Sequence, residues 1–274
     1  MPIALCSIRL PILSSSQIPH RNHKPSSVSS PAPPLVLRFR TSRRQNLRYL
    51  KSLGITATSP ESIAWTLAVV EFLKSKGFSD RHFPRLSSAS PTIFSSADVN
   101  RTLAPVFAFL VAELSADPDQ ARDLILRCPD LLMASVDYRL RPTLLFLQEL
   151  GLRSLSSPTN LNAHLLNTPV EKLASKIRFL EGLGLSHQEA SKVCARCPAI
   201  FGYSVENNLR PKVEYLVREM GRSMEEVNKF PQYFAFSMEK RIRPRHLHLK
   251  QRGVRIPLQR MLLWSDHRFY RKWK

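Results

Sequence analysis

Apolar residues in this chain recur at fixed distances from paired prolines, and that pattern predicts its elements. Cys128-Pro129 is followed by Ser135-Val136-Asp137, Leu140 and Arg141-Pro142. Cys197-Pro198 is followed by Ser204-Val205-Glu206, Leu209 and Arg210-Pro211, and Phe230-Pro231 by Ser237-Met238-Glu239, Ile242 and Arg243-Pro244. Gly151, Gly221 and Gly253 close these units. A further unit sits between the first two, with Ser175 in the second proline's slot and Gly184 at its end. The fifth residue after the slot is Leu147, Leu180, Leu216 or Leu249, and the fourth is Phe146, Phe179, Tyr215 or His248. These positions are expected to pack one unit on the next, giving an all-α array with one concave face.

Each unit reads as two helices. The first opens on a cap: Ser186 with Glu189 and Ser223 with Glu226 fit the capping box, and Asp117-Pro118 offers a cap followed by a first-turn proline. It should stop just before Pro129, Pro198 or Pro231, because the residue preceding proline is driven out of helical geometry. The second helix is expected to start at Pro142, Pro211 or Pro244, where a missing N–H costs nothing. Ser-Val-Asp/Glu between them should be a short turn or 3₁₀ piece, with the acid near a helix start. A weaker unit carries Pro91, Leu103 and Pro105, and fragments end at Gly54 and Gly77.

This pattern resembles the mTERF repeat, named for mitochondrial transcription termination factors. Phe179-Leu180-Glu181-Gly182-Leu183-Gly184-Leu185-Ser186 is similar to that family's Phe-Leu-x-x-Leu-Gly-Leu-Ser ending, and Leu258–Phe269 is similar to the truncated last unit of plant members. Ser175, His246 and His248 depart from the pattern. The resemblance implies a superhelix of helical units that binds nucleic acid in an organelle. Its action there would be transcription termination, transcript processing or intron splicing, on double-stranded DNA or RNA. Other organellar transcription or processing factors are possible partners, and a monomer is expected.

Charge adds a candidate interface. The net charge is +20, and no acid precedes Glu61. Such a surface draws polyanions by releasing their condensed counterions. Arg141, Arg210 and Arg243 occupy the slot before the second proline, and Lys176, Lys212 and Arg245 the slot after it, with Thr143 the exception. Arg139 and Arg241 sit two places earlier, and Arg178 and Arg252 complete the expected set. Repetition at one unit position makes a stripe that could track a phosphate backbone; a merely solvated face is the competing reading. A cation at a helix start opposes the macrodipole, which favours the functional reading. Lys240–Lys274 is the most basic part, with Trp264, Phe269, Tyr270 and Trp273 interleaved. Trp264 and Phe269 are expected to cap the array, and the last four residues to be disordered. The alternative to nucleic-acid binding is a helical scaffold for acidic proteins, for example in splicing complexes.

Residues 1–45 are rich in Ser, Pro and Arg and lack acid, the composition of an organellar transit peptide; chloroplast is preferred over mitochondrion. A basic arm that binds nucleic acid is the other reading. Degenerate units are expected over 46–84, the array over 85–255 and a truncated unit with a basic tail over 256–274. No segment is long and apolar enough to span a membrane. Cys194 and Cys197 have redox or half-zinc spacing, yet Cys197 shares a slot with Cys128 and Phe230, which favours a buried apolar role. With no phosphate loop, nucleophile elbow or paired acids, no catalytic residue, metal or cofactor is expected, and the chain does not read as an enzyme.

Overall fold

The computed structural model of the protein describes residues 42–57 and 59–274. Among them all regular structure is helical, and no helix is long and apolar enough to cross a membrane. The expected leader lies outside the described residues up to position 41; its last residues enter the helix Arg43–Ser52, which opens on a Ser42–Gln45 capping box.

The first helices form as their caps dictate. Pro118–Arg127 starts on an Asp117 cap completed by Gln120, and His187–Arg196 on the Ser186–Glu189 box. Both stop at a cysteine held at φ near −137°, immediately before proline. The box expected at Ser223 does not close. Ser223 Oγ accepts no backbone bond, and the Glu226 carboxylate that would accept from the Ser223 N–H is taken by the buried Arg222.

The second helices begin earlier than expected, and this corrects the proline reading. A 3₁₀ turn follows the first proline, at Pro129–Met133, Pro198–Gly202 and Pro231–Ala235. Ser135, Ser204 and Ser237 then cap a new helix, each accepting from the N–H three residues on. Its first turn is wide. Leu140, Leu209 and Ile242 donate to the serine carbonyl five residues back. The second proline therefore lies inside a helix, where its ring would clash with the carbonyl four residues earlier, and the widened turn relieves that clash. The unit without this proline supplies the control: Val170–Glu181 runs through Ser175 as regular helix.

The units close on left-handed residues. At Gly151, φ is +89°, and Leu152 N–H reaches back to Leu147 O at 3.0 Å, which is the Schellman closure. A Cβ there would meet nothing within 4 Å, so backbone conformation alone demands glycine. Ser115, at φ +57°, fills the same role for the unit of Pro105, a closure the sequence hid. Ser115→Gly should therefore raise stability by about 0.5–1 kcal/mol, and Gly151→Ala lower it by about 1 kcal/mol, in urea unfolding. In the unit of Pro211 the glycine comes one residue later. The wide turn Tyr215–Glu219 absorbs the extra residue.

Packing follows the expected register. Leu147, Leu180 and Leu216 are fully buried and Leu249 is 2% exposed, within a hydrophobic core that continues from Leu50 to Phe269. Polar ties repeat between units. Arg196 donates through both terminal nitrogens to Asn228 O and Lys229 O at 2.7 and 2.8 Å, where a cation meets the C-terminal end of the next unit's first helix. Arg127, in the equivalent slot, reaches Asn160 Oδ1 at 3.1 Å.

Candidate nucleic-acid interface

Because the second helix starts at its serine cap, the residue before the second proline falls in that helix's second turn. The recurring acid falls in the first turn, four residues earlier. Arg210 meets Glu206 at 2.8 Å and Arg243 meets Glu239 at 3.3 Å; Arg141 pairs with Asp137 and also with Glu113 of the preceding unit at 2.6 Å. The bond from Arg210 holds the Glu206 carboxyl below its ordinary range, and that from Arg141 does the same to Glu113. Arg210 also lies 5.5 Å over the Phe179 ring and Arg243 5.5 Å over the Tyr215 ring, each an aromatic of the preceding unit. All three arginines pair with the acid four residues earlier, but only Arg210 and Arg243 lie over an aromatic ring, and Arg141 has Glu113 in its place. They carry charge already matched by carboxylates, and they oppose no helix dipole, so the electrostatic argument for a phosphate stripe loses its footing.

The slot after the proline is not a surface slot. Lys212 is 5% exposed and Arg245 1% exposed. Lys212 Nζ donates to Phe234 O at 2.7 Å and Arg245 Nη1 to Met261 O at 2.6 Å, in each case a carbonyl of the next unit. Thr143, the supposed exception, does the same: it is buried and donates to Thr168 O at 2.9 Å. In these three units the slot holds a buried donor that satisfies a carbonyl across the unit boundary, which would otherwise be buried unpaired. Lys212 and Arg245 are thus internal struts rather than phosphate contacts. Lys176 is half-buried, and burial with Lys172 nearby pushes its amine below the usual range.

Of the other expected residues, Arg139, Arg178 and Arg252 are exposed, Arg252 folding back to His248 O at 3.2 Å. Arg241 is half-buried, donating to Leu262 O at 3.1 Å and lying 5.7 Å over Phe236. Two clefts between second helices are not basic. One is walled by Asp137, Glu149 and Glu171 against Arg139, the other by Glu214, Glu219 and Glu239 against Arg218 and Arg243.

The charge lies elsewhere. Residues 61–239 hold twenty Lys and Arg against twenty Asp and Glu, whereas residues 240–274 hold twelve against the single Asp266. Lys240, Lys250, Arg255, Arg260, Arg268, Arg271, Lys272 and Lys274 are all exposed. The sequence already marks this run as the most basic part of the chain, but these eight lie outside the repeat slots from which the expected contact set was drawn. The segment is helical as far as Lys272. Helices Leu258–Leu263 and Asp266–Lys272 pack on Arg243–Lys250, Phe269 is buried under Arg245 at 4.6 Å, and Trp273 packs on the core, so of the last four residues, expected to be disordered, Arg271 and Lys272 are helical. Trp264 is half-buried with the Arg268 guanidinium 4.2 Å over its ring, in keeping with a capping role. His248 contacts Phe269 and Tyr270, and His246 bonds Tyr215, both as packing residues.

Cys128, Cys194 and Cys197 are buried free thiols, and Cys6 lies outside the described residues. Burial pushes the Cys194 thiol up to about 12, which leaves it a structural apolar group and not a thiolate ligand or nucleophile. No cluster of His, Cys, Asp and Glu suited to a metal ion occurs among the described residues.

Comparison with known proteins agrees with the repeat. The chain is 36% identical over 101 residues to the chloroplastic transcription termination factor MTERF2 of Arabidopsis thaliana, covering 37% of this chain and 16% of that protein. It is 31% identical over 98 residues to chloroplastic MTERF4 of Zea mays, covering 36% and 20%, and 27% identical over 203 residues to chloroplastic MTERF8 of Arabidopsis thaliana, covering 73% and 40%. The chain thus spans less than half the length of these curated relatives. The mTERF family model matches residues 18–270, nearly the whole sequence, and with the proline-punctuated units, the left-handed closures and the buried leucine ladder it shows that this chain belongs to the mTERF family.

Proposed function

We propose that this protein is a chloroplast nucleic-acid-binding factor acting in transcription termination or transcript processing, and that it holds double-stranded DNA or RNA mainly through its basic C-terminal end. The observation that carries this reading is the segregation of charge: a neutral array ends in a helical segment with an excess of eleven positive charges. Exposed Lys and Arg side chains on rigid helices neutralise phosphates and release counterions, which gives affinity without base readout. Arg139 and Arg178 extend the basic surface along the array, and Arg141, Arg210 and Arg243 join it only by exchanging a carboxylate for a phosphate. The relatives' names supply the regulatory role and the compartment.

The test is fluorescence anisotropy with labelled duplex DNA, duplex RNA and single strands across a salt series. A steep fall of affinity with salt is expected, with slope about −0.9 per phosphate neutralised on duplex. No binding to any of them at about 0.1 M salt would remove the reading and leave a scaffold for acidic proteins in its place. Fusion of residues 1–60 to a fluorescent protein should direct it to chloroplasts; mitochondrial import would correct the compartment.

A further inference from the structure

A cavity of about 270 Å³ opens where the unit closing at Gly221 meets the unit closing at Gly253. Four nitrogen-bearing side chains border it: Arg222, His246, Lys250 and Arg255. Arg222 is 7% exposed, and its guanidinium is fixed by Glu226 and by Ile256 O at 2.6 Å. Arg255 comes from the following loop and is steadied by Gly221 O at 3.1 Å, with Glu226 only at 3.9 Å. Lys250 and His246 project from the helix Arg243–Lys250. The His246 Nδ1 atom is engaged by the Tyr215 hydroxyl at 2.9 Å, which leaves Nε2 for another partner. Glu219 is the one acid on the wall.

Three cations, of which Arg222 is buried and fixed, therefore line the cavity with an imidazole beside two carboxylates, Glu219 and Glu226, and Glu226 is largely consumed by Arg222. The cations reach the same cavity from three separate segments, and the Arg255 and Lys250 side chains are exposed to solvent there. An anion with several acceptor oxygens is the chemistry that satisfies them, since a phosphoryl group can accept from guanidinium, ammonium and imidazole at once.

We propose that this pocket is a phosphate-binding site, which takes a phosphoryl group either from a nucleic-acid strand or as a free phosphate. Lys250 and Arg255 belong to the basic C-terminal segment, so the nucleic-acid source of the phosphoryl group rests on the proposed function, whereas binding of free phosphate does not. Burial, with Lys250 and Arg222 beside it and Glu219 opposing them, holds the His246 imidazole below its usual pKa. A bound dianion would reverse that balance, so His246 is a built-in reporter. The groups facing it are Tyr215, Glu219, Arg222, Lys250 and Arg255.

The experiment is a titration of the histidine-labelled full chain with inorganic phosphate, followed by NMR at the His246 ring. Saturable shifts are expected with a Kd of about 1 mM or tighter, together with a rise in the His246 pKa in saturating phosphate. Lys250→Gln with Arg255→Gln should weaken binding at least about tenfold, and Lys250→Gln alone provides the readout if the double variant folds poorly. Unmoved His246 signals and an unchanged pKa would overturn the proposal, whatever the outcome of the nucleic-acid assays. Oligonucleotides carrying a 5′-phosphate or a 5′-hydroxyl then separate the sources. Competition by both indicates backbone phosphate, by the first alone a strand end, and by neither free phosphate. Each of these supports the site once inorganic phosphate has bound.

Discussion

Replacing Lys240, Arg252, Arg271 and Lys272 together by glutamine should weaken binding to duplex nucleic acid by on the order of a hundredfold near physiological salt, and should lower the salt slope by about three to four. All four side chains are exposed, and none ties one unit to another. Lys240 contributes to the fold only through its backbone N–H, which caps on Ser237 Oγ, and Arg252 reaches only its own helix. Thermal unfolding should therefore stay within a few degrees of the parent. The contrast is the pair Arg210→Gln and Arg243→Gln, for which a loss of no more than about threefold is expected. Those guanidiniums already hold Glu206 and Glu239, so a phosphate gains little by displacing a carboxylate, and exposed pairs of this kind contribute little to stability. Anisotropy at several salt concentrations checks both. Equal losses from the two sets would return the interface to the repeated stripe and sink the terminal one.

The array was legible because its signals are local. Caps at Asp117 and Ser186, stops before Pro129 and Pro198 and the leucine ladder each depend on a few neighbouring residues. What failed was the start of the second helix, and one misplaced boundary spoiled the interface. Placing the start at Pro142, Pro211 and Pro244 put Asp137, Glu206 and Glu239 on a separate turn, away from the arginines that follow them. With the start moved to Ser135, Ser204 and Ser237, acid and arginine become a four-residue pair on one helix face, the spacing that favours contact. The wide turn that lets proline sit inside a helix has no residue signature beyond the serine and the proline themselves. The slot holding Thr143, Lys212 and Arg245 was misread for a related reason. Charge was taken as its common property, whereas threonine, lysine and arginine share a hydrogen-bond donor, and only the carbonyl opposite reveals why one is needed. The closure at Ser115 was hidden because serine seldom adopts positive φ, and its place in the register is set by the neighbouring units.

Arg245→Ala should cost about 3–4 kcal/mol and release the C-terminal helices, while Arg243→Ala two residues away should cost less than about 1 kcal/mol. The Arg245 side chain is fully enclosed. It bonds Met261 O, it meets Asp266 and its guanidinium lies 4.6 Å over the Phe269 ring. Truncation leaves a buried carbonyl without a donor and a void beside an aromatic ring, and both penalties fall on the same contact. In a repeat array each unit is held by its neighbour, so the loss should be local. Hydrogen exchange should rise over Leu258–Leu263 and Asp266–Lys272 and stay unchanged over His187–Arg196. Arg245→Met keeps the apolar stem and should recover part of the loss, which separates packing from hydrogen bonding. Nucleic-acid binding would fall in step with the unfolding of these helices, because they carry the basic surface. If Arg245→Ala instead weakened binding while exchange over Leu258–Lys272 stayed at the parent level, the side chain would have to reach phosphate directly, and its role as an internal strut would be wrong.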